Sequence, residues 1–360
     1  MARSGLAALC RERDVIDFGI INHFGVVVAD GLGAENLAER AGYARHLRRL
    51  DEVGVCEAAF PTTTAASLTA IATGLDPGAH GIVGYSLFDR DTGALRNQLT
   101  GWGPEMQPEV WQPAQTLFER AASAGIASFA IAPTRYRDSG FTRATLRGAT
   151  VIAADSIAER FEAMSELRRR HSRTFVQIYV PELDQAGHRF GWQSARWSAA
   201  LEELDAEIAA ASLHQRRSAT VLTADHGMLD VPRSEQILLS SWAGLSEVRA
   251  IAGEPRGVQI VLHDSKQSES AADDLAAWLA QQPGGSGIAV VTRAELVDSG
   301  WMGAQVLPVS EQRLGDVLAI GIDSRAAIPL DAAEDAPARR MIGQHGGLSQ
   351  IERRVPLLLL

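Results

Sequence analysis

The stretch Ala219-Thr-Val-Leu-Thr-Ala-Asp-His-Gly227 decides the fold. Six apolar or β-branched residues follow one another without polar alternation, and an acidic residue and a histidine come directly after them. An unbroken run of this kind suits a strand covered on both faces, as in a parallel sheet between helix layers. Gly25-Val-Val-Val-Ala-Asp-Gly31 repeats the arrangement near the start of the chain. Two separate strands thus end on a carboxylate.

Working outward, β-branched runs at 26–29, 128–132, 175–180, 220–223, 258–263, 288–292, 317–322 and 355–360 read as strands. Helix-length segments such as 194–212 and 271–282 lie between them. Strand–helix alternation predicts an α/β fold, a mostly parallel central sheet sandwiched by helices. Residues 231–310 carry a strand–helix–strand pattern of their own and read as a small inserted α/β subdomain. The core is then 1–230 and 311–360. The terminal run Val355-Pro-Leu-Leu-Leu-Leu360 suits a buried strand at the end of the sheet.

The 360 residues are 46% hydrophobic and 22% charged, an ordinary globular balance. A chain of this length buries a large core without disulfides. Its two cysteines, Cys10 and Cys56, are too few for a thiolate metal site, so any metal must be held by histidines and carboxylates. The net charge of −10 gives no general attraction to nucleic acid or to an anionic membrane. A phosphate-bearing substrate would need local positive groups, metal ions or arginines. Lys266 is the only lysine, which reads as composition bias. The first 25 residues lack the pattern of a cleaved leader, and no run reaches the roughly 18–20 apolar residues of a membrane span. The expectation is a cytoplasmic protein.

Residues suited to metal ligation follow strands at four places: Val28-Ala-Asp30-Gly31, Pro181-Glu-Leu-Asp184-Gln-Ala-Gly-His188, Thr223-Ala-Asp225-His226-Gly227 and Gly343-Gln-His345-Gly346-Gly347. In an open parallel sheet, ligands bind beyond the carboxyl ends of strands, so these four segments can converge. Singly, each has a plainer reading. Asp-Gly after a strand is a turn. Asp184 and His188, four apart, share one helical face that solvent can cover. Together they supply three carboxylates and three histidines, a set that matches two metal ions, Zn²⁺ or Mn²⁺. Two such ions about 4 Å apart clamp an in-line displacement at phosphorus.

A nucleophile candidate lies in Phe60-Pro-Thr62-Thr63-Thr64-Ala-Ala-Ser67, where Pro61 and the threonines read as a helix start and Thr73-Gly74 as its end. A helix N-terminus offers free N–H groups and a positive dipole end to a phosphoryl group. The competing reading makes these threonines N-caps only.

These motifs together resemble the alkaline phosphatase superfamily, and more closely its nucleotide pyrophosphatase/phosphodiesterase branch. The resemblance runs from Val26 to the C-terminus. It is strongest over Pro61-Thr-Thr-Thr64 and Ala72-Thr-Gly-Leu-Asp-Pro-Gly-Ala-His80-Gly-Ile-Val-Gly84, followed in order by the Asp-His-Gly and His-Gly motifs. It implies that Thr64 is the nucleophile and a ligand of one metal, with Asp30, Asp225 and His226 completing that shell. Asp184, His188 and His345 would hold the second. The reaction would pass through a phosphothreonine.

One position departs. The branch carries an asparagine after the Gly-Ile-Val-Gly segment that donates to a phosphoryl oxygen; here it is Tyr85. A tyrosine hydroxyl also donates, from further out. Phosphomonoesterase or phosphonate hydrolase activity on the same scaffold therefore stays open beside diester cleavage, as does a non-catalytic metal- or nucleotide-binding role. The expected partner is a small phosphate-ester substrate, with no nucleic acid polymer and no membrane; the oligomeric state is open. Arg135, Arg137 and Arg143 read either as the substrate mouth or as a solvated loop. His80 reads as a turn residue, and Trp192 and Trp197 as core or lid packing.

Overall fold

The computed structural model describes residues 1–360 apart from 212, 214, 215, 324, 332 and 335. The two larger sheets use β1 (His23–Ala29), β2 (Glu52–Glu57), β3 (Ala127–Ala132), β4 (Thr150–Ala153), β5 (Thr174–Val180), β6 (Ser218–Thr223), β7 (Val248–Glu254), β8 (Gly257–Leu262), β9 (Ile288–Thr292), β10 (Val317–Gly321) and β11 (Arg354–Leu359). The central sheet has seven strands in the order β2-β11-β6-β1-β5-β3-β4. Strands β6, β1, β5, β3 and β4 are parallel, and β11 runs antiparallel to both neighbours. The expected mostly parallel α/β sheet is the observed one.

Each expected strand falls on an observed strand, with ends shifted by a few residues. The segment 194–212 is the helix Ala195–Ala210; Ser212 lies outside the described residues. The C-terminal strand is not at the end of the sheet. It lies one place in, covered by β2 on the edge. The sequence of β2, Glu-Val-Gly-Val-Cys-Glu, is charged at both ends and exposed along much of its length, as edge strands are, and carries no apolar run to mark it.

Alternation through the central strands fills two cores. Val27, Val176, Ile178 and Leu222 face the layer holding Phe161, Trp192, Trp197 and Leu201. Phe24, Val26, Val28, Phe175 and Val221 face the layer holding Leu6, Leu68 and Phe118. Both tryptophans are thus core residues.

The second sheet, β7-β8-β10-β9, is antiparallel throughout. It includes Val317–Gly321 and so extends past residue 310, where the sequence reading ended the insert. A further apolar cluster joins the two parts, setting Phe60, Val83 and Leu87 against Leu296, Leu318 and Ile320.

Strand register places the site. Ala29 pairs with Val180, and Val28 with Thr223. Asp30 lies one residue on, Asp225 two and Asp184 four, so all three leave the same carboxyl edge, and the Asp30 N–H donates to the Val180 carbonyl at 2.9 Å.

Candidate active site

The helix Thr64–Thr73 starts beside that edge and stops at Gly74, whose φ of 71° gives it a left-handed cap. Thr63 is the cap residue, and no side chain caps the first turn. The Thr64 hydroxyl is therefore free of the helix, and its Oγ1 lies 3.2 Å from Nε2 of His226.

Asp30, Asp225 and His226 bring ligand atoms within 4.8 Å of one another, all buried. His226 Nε2 is 3.4 Å from Asp30 Oδ1 and 3.6 Å from Asp225 Oδ2. Asp184, His226 and His345 form a second such group. His188, on the helix Glu182–Phe190, reaches this second group as the i, i+4 spacing predicts: its Nε2 is 3.3 Å from Asp184 Oδ1 and 3.3 Å from His345 Nε2. The His226 and His345 rings stack at 3.6 Å between centroids, so the two groups abut.

The donor set fits cations. Each imidazole turns Nδ1 to a main-chain carbonyl: His188 to Gly343 at 2.8 Å, His226 to Gly227 at 3.1 Å and His345 to Thr62 at 2.8 Å. An Nδ1–H donating there leaves the Nε2 lone pair facing the site, the tautomer a metal ligand needs. The lone pairs of His188 and His345 then face each other with no proton between them. Asp30 Oδ1, Asp184 Oδ1 and Asp225 Oδ2 are buried without a hydrogen-bond partner. Burying acceptors unpaired costs about 1–3 kcal/mol each, which a shared cation would reverse. Burial, reinforced by the charges of Asp184 and Asp225, holds the Asp30 carboxyl well above the usual carboxylate range. Burial also raises Asp184, and it holds His345 well below the ordinary imidazole value.

Supporting groups absent from the sequence reading surround these six. The Tyr179 hydroxyl donates to Asp30 Oδ2. Asn36 clamps the Asp225–Met228 turn, its Nδ2 donating to the Met228 carbonyl at 2.9 Å and its Oδ1 accepting from the Met228 N–H at 3.2 Å. The Thr62 hydroxyl donates to the Gly347 carbonyl at 2.8 Å and accepts from the Gly346 N–H at 3.1 Å, which fixes the loop carrying His345. A strand tyrosine or a helix asparagine has no spacing that would mark it in one sequence.

Tyr85 stands apart. It is 37% exposed, its N–H donates to Glu254 Oε2 at 2.8 Å, and no hydrogen bond joins its hydroxyl to any described residue. His80 is buried, and its Nδ1 accepts from the Ile82 N–H at 3.2 Å, a turn role. Beside Thr64, Asp30 and Asp184 opens a cavity of about 600 Å³, lined also by Arg135 and Arg143. A volume of that order suits a small organic ligand.

Residues 26–348 match the family model described as type I phosphodiesterase / nucleotide pyrophosphatase. A comparison with curated proteins returned no match. Among solved structures, murine ectonucleotide pyrophosphatase / phosphodiesterase 5 superposes with a TM-score of 0.70 at 18% identity, covering 93% of this chain and 87% of that one. An inactive threonine-to-alanine variant of the murine protein, in complex with AMP, gives the same values. The human counterpart superposes with a TM-score of 0.69 at 16% identity, with coverage of 93% and 87%.

Proposed function

The chain belongs to the type I phosphodiesterase / nucleotide pyrophosphatase family, and from that premise we propose that it hydrolyses phosphate diesters and nucleotide pyrophosphates through Thr64, with two divalent cations, Zn²⁺ or Mn²⁺. Asp30, Asp225, His226 and Thr64 would hold one cation; Asp184, His188 and His345 would hold the other. When bound, such ions lower the pKa of a coordinated hydroxyl and neutralise charge growing on a phosphoryl group.

The chain's own groups do the rest. The free N–H groups of the first turn after Thr64 hold phosphoryl oxygens. Thr64 Oγ1 bonds to phosphorus as the bond to the leaving oxygen breaks, and the hydroxyl proton passes to solvent. A water then cleaves the phosphothreonine, restoring Thr64 and releasing the monoester. Tyr85 takes the place of the family asparagine, and its hydroxyl, which stands apart from the cavity, would donate to the phosphate only after turning toward it. A cytoplasmic location belongs to the same proposal, since Cys10 and Cys56 are unpaired, as suits a reducing compartment; cell fractionation tests it.

The observation that carries the reading is the trio of unpartnered buried carboxylate oxygens grouped with three outward Nε2 atoms beside Thr64 Oγ1. The test is Thr64→Ala. Metal content by elemental analysis is expected to stay near that of the wild type, while turnover of bis(4-nitrophenyl) phosphate falls by about 10³-fold or more. Near wild-type turnover would remove Thr64 from the mechanism. Hydrolysis of 4-nitrophenyl phosphate faster than that of the diester would favour the monoesterase reading that Tyr85 keeps open.

A further inference from the structure

Gln177 is the group that the proposed chemistry leaves unused. It sits in β5, in the middle of the central sheet, flanked by Val26 of β1 and Ala130 of β3. It is only 4% exposed, yet it lines the cavity that holds Thr64 and Asp30.

The other buried glutamines spend their amides on the main chain. Gln98 accepts from the Val83 N–H, Gln112 donates to the Ala144 carbonyl, Gln259 accepts from the Gly315 N–H and Gln344 donates to the Met341 carbonyl. The Gln177 amide makes no hydrogen bond to any described residue. Several polar neighbours in the cavity are committed. The hydroxyls of Thr142, Thr145 and Tyr179 donate to the Tyr136 carbonyl, the Phe141 carbonyl and Asp30. The Trp102 Nε1–H donates to the Gln98 carbonyl at 2.8 Å. The Gln177 amide is thus left uncommitted beside the apolar part of the lining, which includes Leu68 and Phe141, both 8% exposed or less, while Arg135 and Asp138 line other parts of the cavity. The amide opens onto the cavity, so a ligand that bonds it trades water for a fixed partner, a net gain of about 0.5–1.5 kcal/mol per hydrogen bond.

An amide side chain offers one acceptor and two donors in a plane. It matches a ring edge that carries a donor next to an acceptor, as in a lactam or an amidine. Aromatic faces at Trp102, Tyr136 and Phe141 suit a flat ring. We propose that this cavity receives the organic group esterified to the phosphate, and that Gln177 is the specificity-determining residue, selecting a flat heteroaromatic ring with paired donor and acceptor atoms on one edge. The proposal rests on the phosphoester hydrolase reading for the reaction, but not for the binding.

The test uses Gln177→Met, which keeps the length and removes the amide, and Gln177→Leu as a second variant; thermal melts identify whichever is folded. Two substrates share a leaving group: the 4-nitrophenyl ester of thymidine 5′-phosphate, which has a lactam edge, and bis(4-nitrophenyl) phosphate, which has none. Loss of the amide is expected to lower kcat/KM about 10- to 100-fold on the first and by less than about 2-fold on the second. Equal losses on both, or no loss on either, overturn the proposal. Calorimetric binding of thymidine 5′-phosphate to wild type and variant reads the same cavity without turnover. If the wild type cleaves neither diester, the diesterase reading fails; the proposal then stands if the variant binds this monophosphate about 10-fold more weakly or worse, and falls if the affinities match.

Discussion

At the scale of single residues, position on the sheet edge decides which side chains meet. That Asp30, Asp225 and His226 meet was legible because each follows an apolar strand, where a buried charge needs a partner, and Asp184, His188 and His345 join them from the turn of the helix Glu182–Phe190 and the Gly-rich loop. Tyr179 was not, because one aromatic residue in a strand looks the same whether it fills a core or orients a carboxylate. Its hydroxyl donates to Asp30 Oδ2, the oxygen that does not face His226. Tyr179→Phe removes that bond without changing the packing. Groups that orient metal ligands in this way affect metal affinity or activity by about 10- to 100-fold. The variant is expected to bind Zn²⁺ or Mn²⁺ more weakly by that factor in a calorimetric titration, with its melting temperature in chelator little changed. Unaltered affinity would reduce Tyr179 to a packing residue.

Among elements, the turn Asp225–Met228 shows why short motifs keep their glycines. A Cβ on Gly227 would lie 1.9 Å from the Ile351 carbonyl oxygen and 2.9 Å from Gly33 Cα. Both obstacles are main chain and cannot swing aside, so the turn would have to leave the pocket that Asn36 closes around Met228. Gly227→Ala is expected to cost more than about 2 kcal/mol in urea unfolding and to lower metal affinity as well, because His226 moves with the turn. A stability loss with metal affinity intact would show that His226 does not depend on this contact. The element scale also marks where sequence reading stopped. Strands buried on both faces advertise themselves, whereas β4 is only four residues long and partly exposed, and β2 and β7 mix Glu, Gly or Arg with Val or Ala. The ordering β2-β11-β6 follows from pairings that join residues far apart in the chain, Arg354 with Glu57 and Leu358 with Leu222, which no local pattern encodes.

For the whole molecule, the second sheet reaches the loops carrying Tyr85 and His345 through two buried acids. Arg256 forms a fully buried pair with Glu352 at 2.8 Å, and Glu352 also accepts from the Gly347 N–H, two residues after His345. Glu254 accepts from the Tyr85 N–H with Oε2, while its Oε1 has no hydrogen-bond partner. Burial chiefly, with the nearby Glu352 charge adding to it, pushes the Glu254 carboxyl up from 4.5 to about 8. The sign of its effect on stability follows. Below pH 4.5 the group is protonated in both folded and unfolded chains and costs nothing. Between 4.5 and 8 the unfolded chain releases the proton and the folded one keeps it, so stability falls by roughly 1.4 kcal/mol per pH unit and levels off above 8. Glu254→Gln keeps an oxygen to accept from Tyr85 and cannot ionise. Its melting temperature should match the wild type near pH 4.5 and exceed it by several degrees at pH 8.5. Other titrating groups are common to both proteins and cancel in the difference. A difference that stayed flat with pH would mean that Glu254 ionises freely in the folded protein, and that the seam between the sheets is wetter than its buried side chains indicate.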